Sequence, residues 1–374
     1  MKVSGGASLA EKPDDASDLR RRIRAAWQGR ISGCQLGKPV EMLSVMQGHA
    51  ALTDYLSRAG ALPLRDYVPL IQGTIVATAG RACCRGIIER SEPDDDINYT
   101  VLALLLLEEH GLALRTVDVA RTWLQRLPAA ATYTAERAAY RTLLERGHEW
   151  FAFGAEPGFD LAECADNDYS EWIGAQIRAD LYGWVCPGRP ALAADLARRD
   201  AALSHRGDGM HGAAFVAAFG ASIPESRSLE AAVETALQYV PRDSAVAGAV
   251  RFACSQVANS DGPRAIRERY VDLFAVHTVN NLALVVWALL SYPQDFGAAV
   301  GEVVAAGLDT DCNGATVGGL WGLQGRPIPQ QWTTPWQGRV AVSLAGLEEL
   351  RLDDLAGRTH AVAERIAREC SGMG

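Results

Sequence analysis

The sequence has few of the features that direct a chain into or across a membrane. Its longest apolar run, residues 282–290, is much shorter than the roughly 20 residues of a membrane-spanning helix. Its first residues contain no apolar stretch of the kind that forms the centre of a signal peptide. We therefore expect a cytoplasmic protein that has no membrane partner.

Basic residues are also in short supply. The chain has 36 Lys and Arg against 45 Asp and Glu, a formal net charge of -9, and no basic stripe. A nucleic-acid-binding surface needs such a stripe to release the counterions of the phosphates. The composition therefore argues against a nucleic-acid partner.

The cysteines form no recognisable framework. All 8 are scattered, and none belongs to a CxxC pair. A chain of 374 residues can bury a large core without disulfides, so free thiols are expected. The sequence also lacks a Walker phosphate loop and a Ser-His-Asp pattern.

The apolar residues that are present recur mostly at helical spacing. Strand-like alternation is nearly absent, so we predict an all-α fold. Residues 18–374 are expected to form one domain after a disordered arm, residues 1–17. A first helix should run from residue 19 to Pro39, because proline breaks helices. Further helices are expected over residues 100–110, 117–127, 135–146, 170–182, 190–203, 210–221, 229–239, 244–258, 265–273 and 347–370.

Three glycines stand on one face of the first predicted helix. Gly29, Gly33 and Gly37 recur every four residues. Glycine costs about 1 kcal/mol relative to alanine inside a helix, so three on one face indicate that another backbone or a ligand approaches closely. Close helix packing is the simpler interpretation.

An acidic run precedes the predicted helix that starts near residue 100. Asp94, Asp95 and Asp96 are adjacent, although capping the helix needs only one aspartate. Adjacent like charges repel each other, and hard divalent cations bound among the oxygens would relieve that repulsion. Helix capping and metal binding are both compatible with this run.

A second acidic motif and a single glutamate extend the pattern. Asp309 and Asp311 precede a further helical stretch that is rich in small residues, where they could cap the helix or hold a cation. Glu41 follows Pro39 and carries no functional signal when it is considered alone.

Taken together, these three pieces resemble the ADP-ribosylglycohydrolases over about residues 22–336. The resemblance implies a compact, orthogonal helical bundle with a central cleft that holds two Mg²⁺ or Mn²⁺ ions. It places the run 94–96 on the family's Thr/Ser-Asp-Asp run, residues 309 and 311 on its paired aspartates, and residue 41 on its glutamate. The metal ligands that the resemblance implies are Glu41, Asp94, Asp95, Asp96, Asp309 and Asp311.

Three further segments resemble parts of the family's substrate cleft. They lie at residues 173–180, 204–209 and 277–281. Each has a simpler interpretation, since Arg178 and Asp180 could pair on a helix surface and either histidine could lie satisfied in the core. The substrate-binding residues implied by the resemblance are Arg178, Asp180, His205, Arg206, Gly207, Gly209, His277 and Asn280.

Two cysteines depart from the family pattern. Cys34 stands where the family often has aspartate, and Cys312 stands where it often has a threonine that helps to hold metal. Oxygen ligands suit Mg²⁺ better than a thiol does. We therefore expect no direct metal role for Cys34 or Cys312.

The resemblance predicts a metal-dependent hydrolase that cleaves an N-glycosidic bond at the anomeric carbon of an ADP-ribose or ribonucleotide conjugate. Such a reaction needs a base for the attacking water, for which Glu41, Asp95 and Asp96 are the candidates. The substrate would be a small ribosyl or ADP-ribosyl compound or an ADP-ribosylated protein, and the enzyme a monomer or dimer. One alternative is a glycohydrolase of a small NAD-derived or nucleoside intermediate, and another is a non-catalytic ADP-ribose-binding protein.

Overall fold

The structure is a computed structural model that describes residues 15–147, 149–150 and 155–372. In this part of the chain, helices dominate and the only sheet has two strands, which confirms the all-α prediction. The helices are α1 (Asp15–Arg58), α2 (Val76–Ala79), α3 (Asp95–His110), α4 (Thr116–Arg126), α5 (Thr134–Arg146), α6 (Asp180–Trp184), α7 (Pro190–Ala201), α8 (Gly207–Ser222), α9 (Leu229–Ala236), α10 (Ala245–Ser255), α11 (Gly262–Arg269), α12 (Thr278–Ser291), α13 (Phe296–Ala305), α14 (Thr310–Gly322), α15 (Gln330–Thr333) and α16 (Leu352–Gly372). The strands are β1 (Arg339–Leu344) and β2 (Leu347–Arg351).

The first helix is longer than predicted at both ends. It begins at Asp15, inside the predicted arm, whose residues 1–14 lie outside the described residues. The predicted end at Pro39 is wrong, because α1 continues through the proline and kinks only at Gly48, where φ is 82°. An internal proline costs about 3 kcal/mol. The buried packing of α1 against α14 offsets that cost.

Helices α1 and α14 run antiparallel with their backbones in contact. A Cβ added at Gly33 would lie 1.9 Å from the carbonyl oxygen of Gly314, and one added at Gly29 would lie 2.0 Å from that of Gly318. Any larger side chain would push the helices apart. The glycine face of α1 therefore serves close helix packing, as the sequence indicated.

Two predicted helices are wrong in part. Residues 170–179 form turns and a short 3₁₀ helix, because Ile173 donates its backbone N–H to the carbonyl oxygen of Val276 and thereby leaves the helical path. Residues 347–351 form β2, which pairs antiparallel with β1 after a turn at Gly346, where φ is 79°. The last helix therefore starts at Leu352.

Helix α12 occupies the centre of the bundle, with residues 278–290 buried. It contains the longest apolar run, so that run is explained by burial in the protein interior. None of the helices that the structure describes has the length and hydropathy to cross a membrane. All eight cysteines are free, as expected.

Candidate metal centre

Six carboxyl groups meet where α3 and α14 begin beside the middle of α1. They come from distant parts of the chain and are the six residues that the family resemblance implies as metal ligands. They are Glu41, Asp94, Asp95, Asp96, Asp309 and Asp311. The free N–H groups and dipoles of two helix N-termini favour negative charge at this place.

One group of three acids contains Glu41, Asp309 and Asp311. Each offers a carboxylate oxygen within 4.8 Å of the other two. Asp309 and Asp311 are buried, and Asp309 Oδ1 has no hydrogen-bond partner among the described residues. The nearby Asp311 and burial raise the pKa of Glu41, and burial together with Asp311 raises that of Asp309.

The N-terminus of α14 is fixed by polar contacts with α12 and α1. Asn281 Oδ1 accepts hydrogen bonds from the backbone N–H of Asp309 at 3.1 Å and from Asn313 Nδ2 at 2.8 Å. Thr310 Oγ1 donates to the carbonyl oxygen of Gly37 at 2.9 Å. These bonds fix the backbone of the second acidic motif against its neighbours.

The acidic run at α3 is partly neutralised by Lys38. Asp94 caps α3, since its Oδ1 accepts the backbone N–H of Asp96 at 2.9 Å, and its Oδ2 lies 2.5 Å from Lys38 Nζ. Burial opposes ionisation of Asp94, but the ammonium of Lys38 outweighs it and lowers the pKa of that carboxyl. Burial likewise opposes the charged form of Lys38, yet its acidic neighbours raise its pKa.

Arg30 neutralises Asp96 from the other side. Its Nη2 lies 3.0 Å from Asp96 Oδ1, its Nη1 lies 2.9 Å from Asp180 Oδ2, and its Nε donates to Thr100 Oγ1 at 2.7 Å. Asp96 Oδ2 has no partner among the described residues. Burial raises the pKa of Asp96, although Arg30 acts against that shift.

The residues fit a hard divalent cation. Buried carboxylates without partner hydrogen bonds are expensive unless a positive charge meets them, and oxygen is the ligand atom that Mg²⁺ and Mn²⁺ prefer. Cys312 Sγ also lies within 4.8 Å of carboxylate oxygens of Asp96 and Asp311. Burial raises the pKa of this thiol, and a thiol is in any case a poorer ligand for Mg²⁺ than an oxygen is.

A cavity of about 230 Å³ opens beside the acidic run of α3, with Lys38, Asp94, Asp95 and Tyr133 in its lining. Asp95 is half-buried and accepts no hydrogen bond within the described part of the chain. Tyr133 is 54% exposed at the rim. A second hollow of about 670 Å³ is lined by two arginines, two aspartates and other residues: Thr134, Arg137, Ala138, Arg141, Asp166, Asn167, Asp168 and Tyr169.

Arg178 and Asp180 each form buried ion pairs with other residues and not with each other. Arg178 is 2% exposed, and its guanidinium bonds Asp200 Oδ1 at 2.7 Å and Glu136 Oε1 at 2.8 Å. Asp180 is paired with Arg30, and burial raises its pKa to about 6. Both side chains therefore have protein partners, and their contact with substrate stays a prediction.

The segment at the start of α8 packs against the turn at residue 170. His205 is fully buried, its Nδ1 lies 2.8 Å from Ser204 Oγ, and burial lowers its pKa well below the ordinary value. Arg206 is exposed, and its Nη1 lies 3.3 Å from Asp166 Oδ1. A Cβ at Gly209 would lie 2.3 Å from the carbonyl oxygen of Ser170.

Residues 207–212 also have the GxGxxG spacing of a dinucleotide fingerprint, which the sequence analysis missed. That fingerprint joins a strand to a helix. The described strands are β1 and β2, both far downstream of α8, so this interpretation is excluded. Gly207 instead has a positive φ of 50° at the first residue of α8.

His277 and Asn280 lie at the start of α12. His277 caps this helix, since its Nδ1 accepts the backbone N–H of Val279 at 3.2 Å. Asn280 Nδ2 donates to the carbonyl oxygen of Phe274 at 3.0 Å. The contact of His277 and Asn280 with substrate stays a prediction.

Lys38 and Arg30 are the charged residues of the site that sequence reasoning missed. Arg30, Cys34, Lys38 and Glu41 follow each other at spacings of four, four and three, so they share a helical face beside the glycines. This spacing was the available signal. The predicted helix end at Pro39 obscured this spacing, because Glu41 then lay outside the helix and could not share a face with the other three residues.

Comparison with known proteins agrees with this architecture. A family model described as ADP-ribosylglycohydrolase matches residues 15–369. A solved structure described as an ADP-ribosylglycohydrolase-related protein complex superposes with a TM-score of 0.57 at 17% sequence identity, over 94% of this chain and 99% of that chain. At this identity the likeness concerns the fold alone. No curated protein matches the sequence.

Proposed function

The chain belongs to the ADP-ribosylglycohydrolase family, and on that premise we propose that it is a divalent-metal-dependent hydrolase of an N-glycosidic ribosyl bond. The observation that carries this proposal is the group formed by Glu41, Asp309 and Asp311. Their carboxylates lie together with no ion pair among the described residues, and two of the three are buried. Such a group is far more stable with a cation than without one.

The other three acids of the predicted metal set lie beside this group. Asp95 and Asp96 carry raised pKa values because of burial, and Asp94 adds a like charge that raises both further. Bound Mg²⁺ or Mn²⁺ would supply the positive charge that stabilises the ribose hydroxyls and an activated water. Acidic residues are present at all three motifs of the resemblance, which favours an enzyme over a non-catalytic binding protein.

We assign the role of general base to Asp95. It lines the cavity of about 230 Å³, and its side chain is held by neither a cap nor an ion pair, so its carboxylate can reach a water bound there. Burial and Asp94 raise its pKa in the metal-free protein. Glu41 and Asp96 were the other candidates, but Asp96 is fully buried against Arg30.

The two hollows support a ribose conjugate as the substrate. The cavity of about 230 Å³ beside Asp95 is large enough for a sugar, and the hollow of about 670 Å³ beyond Tyr133 would take the rest of a larger ligand. Arg137 and Arg141 line that second hollow together with Asp166 and Asp168, and a diphosphate would bind on the side of the arginines. An ADP-ribose conjugate uses both hollows, whereas a nucleoside uses only the first.

A product assay tests the proposal. Purified protein is incubated with ADP-ribosyl-arginine, NAD, nicotinamide mononucleotide and simple nucleosides, each with Mg²⁺ or with a chelator, and products are identified by mass spectrometry. We expect release of ADP-ribose or ribose phosphate that needs Mg²⁺ and is lost in Asp311→Ala. Cleavage of nucleosides alone would favour the small-molecule alternative. Metal binding without any cleavage would favour the binding-protein alternative.

A further inference from the structure

The two sides of the acidic cluster differ in how their charge is neutralised. On the side of α3, Asp94 is paired with Lys38 and Asp96 with Arg30, and Asp95 is the one acid of this run without an ion pair among the described residues. On the side of α14, Asp309 and Asp311 form no ion pair within the described part of the chain. Positive charge from the protein is therefore concentrated on one side.

Both carboxylate oxygens of Asp94 are already engaged. Oδ1 accepts the backbone N–H of Asp96 at 2.9 Å, and Oδ2 accepts from Lys38 Nζ at 2.5 Å. The Asp94 side chain is 1% exposed, so it has little freedom to turn towards another partner. A divalent cation bound to the same oxygen would lie close to the ammonium and be repelled by it.

One potential ligand on the same side is a thiol. Cys312 Sγ lies within 4.8 Å of carboxylate oxygens of Asp96 and Asp311 and is buried. Thiols are poor ligands for Mg²⁺, so this group offers two carboxylates and no third oxygen.

We propose that the ammonium of Lys38 takes the place of a second divalent cation, so that the chain binds a single ion at Glu41, Asp309 and Asp311. This inference rests on the proposed metal-dependent function and revises the two-ion expectation. Lys38 is 23% exposed in the lining of the cavity beside Asp95, so its charge faces the space assigned to the sugar. Asp94 then acts as the anchor of Lys38 and is not a metal ligand.

Counting bound Mn²⁺ in the full-length protein tests the inference. Equilibrium titration with Mn²⁺ and elemental analysis of the washed complex should give one ion per chain for the wild type. Lys38→Met removes the ammonium at nearly constant length and frees Asp94, so the number of bound ions should double. Lys38→Arg keeps the charge and is the matched control, which should still bind one ion. A Lys38→Met variant that still binds one ion would refute the role of Lys38.

Electron paramagnetic resonance of wild-type protein saturated with Mn²⁺ needs no substitution, so it covers the case in which Lys38→Met does not fold. A single site gives the spectrum of isolated Mn²⁺, whereas two ions bridged by Asp311 would give a spin-coupled pair. The coupled spectrum, or two ions per wild-type chain, would overturn this inference and leave the proposed function intact. Absence of any Mn²⁺ binding would contradict the metal-dependent function itself. In the single-ion arrangement, Asp94→Asn should keep one ion, while Asp311→Asn should lose it.

Discussion

Gly37 and Thr310 join the middle of α1 to the second acidic motif at backbone contact. The Thr310 hydroxyl donates to the Gly37 carbonyl oxygen at 2.9 Å, and a Cβ on Gly37 would lie 2.2 Å from the carbonyl oxygen of Thr310. The position of Glu41, one turn further along α1, relative to Asp311 therefore depends on the absence of a side chain at residue 37.

Gly37→Ala should lower both stability and metal affinity. The added methyl group meets backbone that cannot rotate away, so we expect a loss of about 1–3 kcal/mol in the free energy of unfolding. Urea unfolding and Mn²⁺ titration measure the two effects. Gly248→Ala is the matched control, because nothing lies within 4 Å of its added Cβ, and it should be neutral or slightly stabilising. Unchanged metal affinity in Gly37→Ala would contradict this account.

Arg30→Met should destabilise the protein strongly. Arg30 is fully buried between Asp96 and Asp180, and its removal leaves two carboxylates without their cation. We expect the free energy of unfolding, measured by urea titration, to fall by about 3–5 kcal/mol. Arg58→Ala, which breaks an exposed pair with Asp54, should cost at most about 1 kcal/mol. If Arg30→Met and Arg58→Ala lowered the free energy of unfolding equally, the buried ion pairs of Arg30 would have no special structural role.

Metal-free protein should lose stability as the pH rises above the ordinary range of carboxyl groups. Burial, followed by like charges, raises the pKa of Asp95, Asp96, Asp309 and Asp311, and the charge of Asp311, followed by burial, raises that of Glu41. Protons that the unfolded chain releases near about pH 4 are therefore still held by the folded chain, and this contribution to stability disappears as the folded groups ionise. A divalent cation binds to the ionised carboxylates. The stability that it adds therefore increases as the pH rises, whereas the stability of the metal-free protein decreases.

The gain in melting temperature on adding Mg²⁺ should accordingly increase from about pH 5 to about pH 7.5. Scanning calorimetry with Mg²⁺ or chelator measures it. Burial lowers the pKa of His205, so this residue makes stability increase with pH both with Mg²⁺ and with chelator. Its contribution therefore cancels when the two melting temperatures are subtracted. Asp311→Asn should show almost no gain at either pH. A gain that shrinks towards neutral pH would be inconsistent with carboxylate ligands.

Arg137→Ala should separate the two substrate classes. Arg137 lines the hollow beyond Tyr133, where the proposed function places the diphosphate. Loss of a charge-assisted hydrogen bond should raise KM for ADP-ribosyl-arginine roughly tenfold or more and leave kcat nearly unchanged. Hydrolysis of a nucleoside, which has no phosphate, is the internal control. Equal effects on both substrates would place the phosphates elsewhere.

The sequence was most informative where charge or glycine is dense. Asp94 to Asp96 and the pair of Asp309 and Asp311 stood out as candidates for helix caps or cation ligands, and the fold brings both motifs to one place. The glycines of α1 predicted close packing, but the partner α14 follows from tertiary contact alone.

The sequence was least informative where long-range packing overrides local preference. Pro39 is a helix breaker in isolation, yet α1 continues through it because its buried neighbours stabilise the helix. Arg178 has Asp180 as its acidic neighbour in the sequence, yet its partners in the fold, Glu136 and Asp200, lie 42 and 22 residues away. No periodicity connects such residues, so their pairing required the folded structure.

The central claim is hydrolysis at an anomeric carbon that depends on a divalent cation held by Glu41, Asp309 and Asp311. It is tested most directly by running the reaction on the best substrate in water labelled with heavy oxygen, with Mg²⁺ or with chelator. The account predicts one labelled oxygen on the anomeric carbon of the released ribose product, with Mg²⁺ only, and none with Asp311→Asn. Label on the leaving group, or equal turnover in chelator, would contradict it.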